Sequence, residues 1–215
     1  MTLDALISGH NRFKDSFDKH HRNWARLVDE GQHPRVLWIG CSDSRVIPEQ
    51  ITGARPGDLL VVRNVANVVP PYGTSGVAMG AVLDFAILEL GVEHVIVCGH
   101  TFCGGVGAIL DQTSLAATSH MARWVSWIRP ALSQVEASGS PEEERYLETV
   151  KANVLLQRGN VNTYPEVSHA FKTGRLSVHG WLFDLESGDL KVYDDATNKW
   201  QGVGSLKDEQ ATITE

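Results

Sequence analysis

SGVAMGAVLDFAILELGVEHVIVCGH, residues 75–100, contains a helical pattern followed at once by a strand pattern. From 75 to 90 the apolar residues Ala78, Val82, Phe85, Ala86 and Leu90 fall close to one helix face. Ser75 is placed to cap the start of this helix, and Gly91 follows its end. The run HVIVC (94–98) is short, apolar and bounded by Gly99, as expected of a strand buried on both faces. Upstream, RVLWIG (35–40) has the same character, and so does DLLVVR (58–63), which the Pro56-Gly57 turn signal introduces. A strand, a helix and a strand in succession form a βαβ unit with parallel pairing and a right-handed crossover. The chain is therefore predicted to be α/β, with a mostly parallel sheet flanked by helices.

Outward from this unit, residues 3–31 place Phe13, Phe17, Trp24, Leu27 and Val28 at roughly helical spacing. They predict one or two helices that stop at Gly31 and form an N-terminal helical arm over 1–31. Pro70-Pro71-Tyr72-Gly73 marks a loop. Further helices are predicted from 106, over 122–132 and 142–158 with 137–141 as a linker, and over 163–171. Residues 176–183 and 190–193 read as strands around Ser187-Gly188. Residues 208–215 are polar and are expected to form a flexible tail. A chain of 215 residues can bury one sizeable core, so a single domain over 1–215 is expected.

Composition narrows the class. A net charge of −7, with no run rich in Lys or Arg, argues against a nucleic-acid partner. No apolar stretch reaches the roughly 20 residues that cross a bilayer, so no membrane span is expected. The first ten residues lack the basic and apolar regions of a secretory signal. Three cysteines, 41, 98 and 103, are too sparse for a disulfide framework. They fit a reducing cytoplasm, or a compartment within it such as a carboxysome, where metal-binding thiols stay free.

Two clusters carry the chemistry: Cys41-Ser42-Asp43-Ser44-Arg45 and His100-Thr101-Phe102-Cys103-Gly104-Gly105. Each follows a buried-strand run, and strand ends are where open α/β sheets place their chemistry. Two thiols, an imidazole and a carboxylate form a ligand set that zinc favours. His100 and Cys103, three apart among glycines, can wrap one ion from a single loop, and Cys41 can reach it from a neighbouring strand. Cys103 opens a predicted helix, where amide groups stabilise a thiolate. Cys98, inside its strand, reads as a small buried apolar residue. Asp43 and Arg45, two apart, project to the same side of an extended segment. Asp43 can then close the metal site as a fourth ligand, or turn to Arg45 and leave that position to water.

WIGCSDSRV (38–46), VVRNVANVV (61–69) and CGHTFCGGV (98–106) resemble the signature blocks of β-class carbonic anhydrases. HGWLFD (179–184) resembles that family's C-terminal strand block, and the likeness extends over about residues 10–200. The resemblance implies Zn2+ held by Cys41, His100 and Cys103, with Asp43 either ligating zinc or pairing with Arg45. It implies reversible hydration of CO2 to bicarbonate and a proton, a lyase reaction, because zinc lowers the pKa of bound water from 15.7 to about 7. It also implies a tight homodimer that often assembles further, with N-terminal helices embracing the neighbour and the active site at the interface. Phe85 stands where many members have Tyr near the substrate pocket, and Gly104 is assigned to the same pocket. Trp38, Gly40, Val46 and Arg63 match the non-catalytic bicarbonate site of one branch, but the Tyr of that site falls at Phe183, which lacks the phenolic donor.

Three alternatives accompany this reading. Relatives of the family hydrolyse carbonyl sulfide or carbon disulfide with the same ligands, and a zinc site can be purely structural. Structural sites more often use four Cys or His ligands, so the Asp43–Arg45 pair favours catalysis. A cysteine redox role is weaker, because the chain has no CxxC.

Overall fold

The computed structural model describes residues 1–74, 76–111, 116 and 118–205, apart from the side chains of 18–23 and 205. The predicted cap Ser75 and the predicted tail 208–215 lie outside the described residues. The chain forms two compact units, Met1–His33 and a second beginning at Pro34. The first is a single helical span, α1 (Leu3–Asp29). Thr2 caps it by accepting from the Ala5 amide, and Arg26 lies in its last turn.

The second unit is built on a six-stranded sheet of order β2-β1-β3-β4-β5-β6. Strands β1 (Val36–Cys41), β2 (Leu59–Asn64), β3 (His94–His100) and β4 (Ser177–Phe183) run parallel. Strands β5 (Leu190–Asp194) and β6 (Lys199–Gly202) extend the sheet antiparallel. Between β1 and β2 lies a short helix, α2 (Pro48–Thr52). The chain leaves β1 on one side to make β2, then crosses to the other side to make β3. The connections thus diverge at the carboxyl ends of β1 and β3, where open sheets hold their ligands. Gly40 is paired with Cys98, which sets Cys41 level with Gly99 and one residue short of His100.

Helix α3 (Val77–Asp84) continues into a π turn over Phe85–Glu89, where the Leu90 amide donates to the Phe85 carbonyl. Its buried residues are Met79, Leu83, Ala86 and Ile87. The predicted face is therefore corrected by one residue: Ala78 and Phe85 are exposed, and Val82 is half-buried. Apolar residues surround this helix on every side, so period alone could not choose the face, and packing on the sheet does. Leu37, Ile39, Val95 and Val97 meet α3 there, together with α7 (Glu142–Val161) through Val154 and Val161, and α8 (Pro165–Lys172) through Val167 and Ala170. Each valine, leucine or isoleucine among these contributes about 1.5–3 kcal/mol when fully buried. A Cβ on Gly99 would lie 2.5 Å from Val154 Cγ2, so only glycine lets α7 lie this close to β3.

Helices α4 (Gly104–Leu110), α5 (His120–Val125) and α6 (Arg129–Ser138) surround a second core that includes Cys41, Ala66 and Cys103. The opposite sheet face buries Trp38, Ile96 and Cys98 beside Trp181 and Phe183. Among the described residues no helix is long and apolar enough to cross a membrane.

Candidate active site

Cys41 ends β1, His100 ends β3, and Cys103 stands immediately before α4. Their ligand atoms lie within 4.8 Å of one another, and all three residues are buried. Two sulfurs each about 2.3 Å from one tetrahedral ion stand about 3.8 Å apart, and the Cys41 and Cys103 Sγ atoms are 3.9 Å apart. His100 Nδ1–H donates to the Thr101 carbonyl at 2.8 Å. That bond leaves Nε2 as the lone-pair nitrogen, fully buried and without a hydrogen-bond partner. A buried acceptor left unpaired costs about 1–3 kcal/mol, and a metal ion among two thiolates would satisfy it. The donor set and the orphaned nitrogen therefore fit zinc.

Electrostatics points the same way. The Cys41 thiol is held well below the ordinary range, first by its hydrogen bond with Cys103, then by His100 and by the amides of Asp43 and Ala66, against the cost of burial. Cys103 moves in the opposite direction, because Cys41 holds its proton and burial disfavours a second charge. Without a cation the two sulfurs share one proton as a pair. With a divalent cation both can ionise.

The surrounding loops are tied to these ligands. The Ala66 amide donates to Cys41 Sγ at 3.3 Å, and Ala66 and Asn67 take positive φ of 60° and 48° to turn that way. Asn64 clamps the turn through both the amide and the carbonyl of Val68, at 2.7 and 2.8 Å. Phe102 adopts φ 57° between His100 and Cys103, and its carbonyl accepts from Arg45 at 3.0 Å. Such strained positions persist only where surrounding contacts hold them. Gly105 closes the joint between the second ligand cluster and the turn carrying Ala66, because a Cβ there would meet Ala66 Cβ at 2.8 Å and Val65 Cγ1 at 2.9 Å. Gly105→Ala is expected to destabilise the fold by about 1–3 kcal/mol, read as a lowered urea midpoint with an unchanged slope.

Asp43 accepts from Arg45 Nε and Nη2 at 2.9 and 2.7 Å, and from the Arg45 amide at 3.0 Å. This fork, chiefly its side-chain bonds, holds the Asp43 carboxyl well below the usual carboxylate range. Asp43 Oδ2 lies 3.9 Å from His100 Nε2. The carboxylate thus borders the Cys–His–Cys group while turned to Arg45.

The remaining predicted residues fall elsewhere. Gly104 leaves open space where a side chain would be. Phe85 stands on the π turn, 42% exposed, and no described contact joins it to the cluster within its own chain. Trp38 is fully buried, packed edge-on to Trp181 at 5.7 Å, and its indole N–H has no partner. Phe183 shares that core cluster. Arg63 donates to the Cys41 and Asp43 carbonyls at 2.9 and 2.6 Å, so it positions the first ligand loop.

Sequence reasoning missed the supports on α7. Asn153 donates to the Ala66 carbonyl at 3.1 Å, and Gln157 links Asn153 to the Val69 amide through bonds of 2.9 Å each. Tyr146 donates to the Cys103 carbonyl at 2.9 Å. The available signal was two amides, Asn153 and Gln157, four apart on a helix face that also carries Thr149, Val150, Val154 and Val161.

Known proteins share this arrangement at the level of sequence and fold. A family profile described as carbonic anhydrase matches residues 36–190. Carbonic anhydrases of Synechocystis sp. and Pseudomonas aeruginosa are each 36% identical to the chain, over 89% and 91% of it and 71% and 89% of their own lengths. The structure of the β-carbonic anhydrase CcaA aligns with TM-score 0.84 and 33% identity, covering 93% of this chain and 91% of that one. The β-carbonic anhydrase CafA of Aspergillus fumigatus aligns with TM-score 0.79 and 32% identity, covering 89% and 90%. The matched profile spans both ligand loops and all four parallel strands, and the chain belongs to the β-carbonic anhydrase family.

Proposed function

We propose that this chain catalyses the reversible hydration of CO2 to bicarbonate and a proton, with zinc held by Cys41, His100 and Cys103. The supporting observation is a buried Cys–His–Cys group with its donor atoms within 4.8 Å, bordered by a carboxylate that Arg45 holds ionised. Zinc bound there would supply the Lewis acidity that makes water a nucleophile at neutral pH.

The chain's own residues do the rest. An ionised carboxylate only accepts hydrogen bonds. Asp43 therefore takes an O–H of the attacking water and aims the oxygen lone pair at the carbon of CO2. Arg45 fixes the direction of that acceptor by its two-pronged grip, and the Phe102 carbonyl anchors Arg45 in turn. His100 keeps Nε2 toward the cluster because Nδ1–H is committed to Thr101. Arg63 holds the carbonyls on either side of Ser42, so Cys41 and Asp43 keep their spacing.

Self-association belongs to the same proposal. The exposed apolar residues Val77, Phe85 and Leu88 on the α3 segment, and Leu3, Leu6 and Ile7 on α1, suit contact with further copies. A matched chain 29% identical to this one comes from the structures of two tetrameric β-carbonic anhydrases of Sordaria macrospora. Phe85 would then line a substrate pocket in a neighbouring subunit. We assign the chain one domain with an N-terminal helical arm. A reducing compartment such as the cytoplasm would keep its three free thiols available.

Stopped-flow CO2 hydration with metal analysis tests the reading. About one zinc per chain with rapid hydration is expected. Full zinc without hydration overturns it, and carbonyl sulfide turnover measured in parallel identifies the sister activity.

A further inference from the structure

Beside the carboxyl ends of β1 and β2, α5 and the turn after it flank an open cleft of about 680 Å3, which includes none of the three ligands but reaches Ser42, Asn64 and Val65 next to the Cys41 loop. Small-molecule sites have volumes of about 300–1,000 Å3, mostly apolar walls and a few placed polar groups. Trp124, Trp127 and Met121, all half-buried, supply the apolar wall. Trp124 is fixed because its indole N–H donates to the Val65 carbonyl at 2.8 Å, so this wall is formed before any ligand arrives. Arg123 and His120 also line the cavity. Both are exposed, and among the described residues neither side chain has a hydrogen-bonded or ionic partner.

We propose that this cavity binds a planar aromatic anion, an arene carboxylate or sulfonate, with its ring against Trp124 and Trp127 and its charge on Arg123. The chain carries a net charge of −7. Its overall field repels anions, so an anion held here depends on the local guanidinium, which grips carboxylates and sulfonates in a planar fork. Bicarbonate is too small to fill the cavity and has no ring to set against two indoles. A neutral arene would leave the guanidinium unused.

The test is calorimetric titration of the full-length, zinc-loaded protein with 2-naphthoate, beside uncharged 2-naphthamide. One saturable naphthoate site per chain is expected, with Kd between about 10 μM and 1 mM. Arg123→Gln should weaken naphthoate at least about tenfold and change naphthamide less than about twofold. Trp127→Leu should weaken both by about fivefold or more. Naphthoate binding should persist in Cys41→Ser, which separates this cavity from anion binding at the metal. The proposal is overturned by no saturable binding, by binding that Arg123→Gln leaves intact, or by binding that disappears with Cys41.

Discussion

Cys41→Ser yields a folded protein holding less than about a tenth of a zinc per chain and hydrating CO2 on the order of a thousandfold more slowly. Serine matches cysteine in shape but supplies no anion at neutral pH. The change removes one negative charge and one soft donor from a group of three. The fold should survive, because the main core runs through Leu37, Ile39, Val95, Val97 and the helices above them and includes none of the three ligands. Far-ultraviolet circular dichroism should therefore match the wild type while metal analysis does not. Cys98→Ala is the matched control. Cys98 is 1% exposed, and burial pushes its thiol up, so it stays protonated and outside the ligand group. That variant should keep its zinc and its rate. Near-stoichiometric zinc in Cys41→Ser, or its loss in Cys98→Ala, would reassign the ligands.

The contrast between these cysteines was legible in sequence, because it depends on local chain grammar. Cys41 and Cys103 interrupt apolar runs amid polar residues and glycines, whereas Cys98 continues one. The parallel strands were legible for a related reason. Burial on both faces demands uninterrupted apolar residues, as in β1 and β3, and the observed β1, β2 and β3 start at 36, 59 and 94 against expected starts of 35, 58 and 94; β2 departs from the expected burial, because it forms the edge of the sheet and is only half-buried. Elements whose stability is decided by distant partners were not legible. Edge strand β6, Lys-Trp-Gln-Gly, has two exposed ends and no strand-like period. The predicted linker over 137–141 is helical through Ser138, and Gly139, at φ 70°, ends α6. At the site, the ligands occupy two contiguous clusters, but the turn carrying Ala66 is held from 87 residues away by Asn153. Nothing local to VVRNVAN names that partner, since it depends on which helix the sheet lays over the turn.

Asp43→Asn should retain zinc close to wild type while CO2 hydration falls by about 10–100-fold, the usual cost of removing a partner that orients a metal site. The substitution keeps the shape and one acceptor oxygen. It removes the charge that holds Arg45 and replaces the other oxygen with a donor, which points an N–H where water must present its own. The pH profile separates orientation from proton uptake. Arg45 holds the Asp43 carboxyl far below its ordinary range, so this group stays ionised from about pH 8.5 down to about pH 6. Protonation of Asp43 would remove activity only as pH falls through that depressed pKa, well below this window. A wild-type loss of rate inside the window must then come from another group, and Asp43→Asn should lower the plateau without removing the midpoint. A midpoint that vanishes in Asp43→Asn would mean that Asp43 itself changes state there, by leaving Arg45 for the metal. Arg45→Ala tests that alternative directly. With its two side-chain bonds gone, Asp43 is free to turn toward the cluster, which lies 3.9 Å away at His100 Nε2. X-ray absorption at the zinc edge should then show one added oxygen from a carboxylate together with a slow enzyme. Unchanged kinetics in Asp43→Asn, or an unchanged zinc shell and full rate in Arg45→Ala, would remove this pair from the mechanism and leave its three contacts as an ion pair that only shapes the loop.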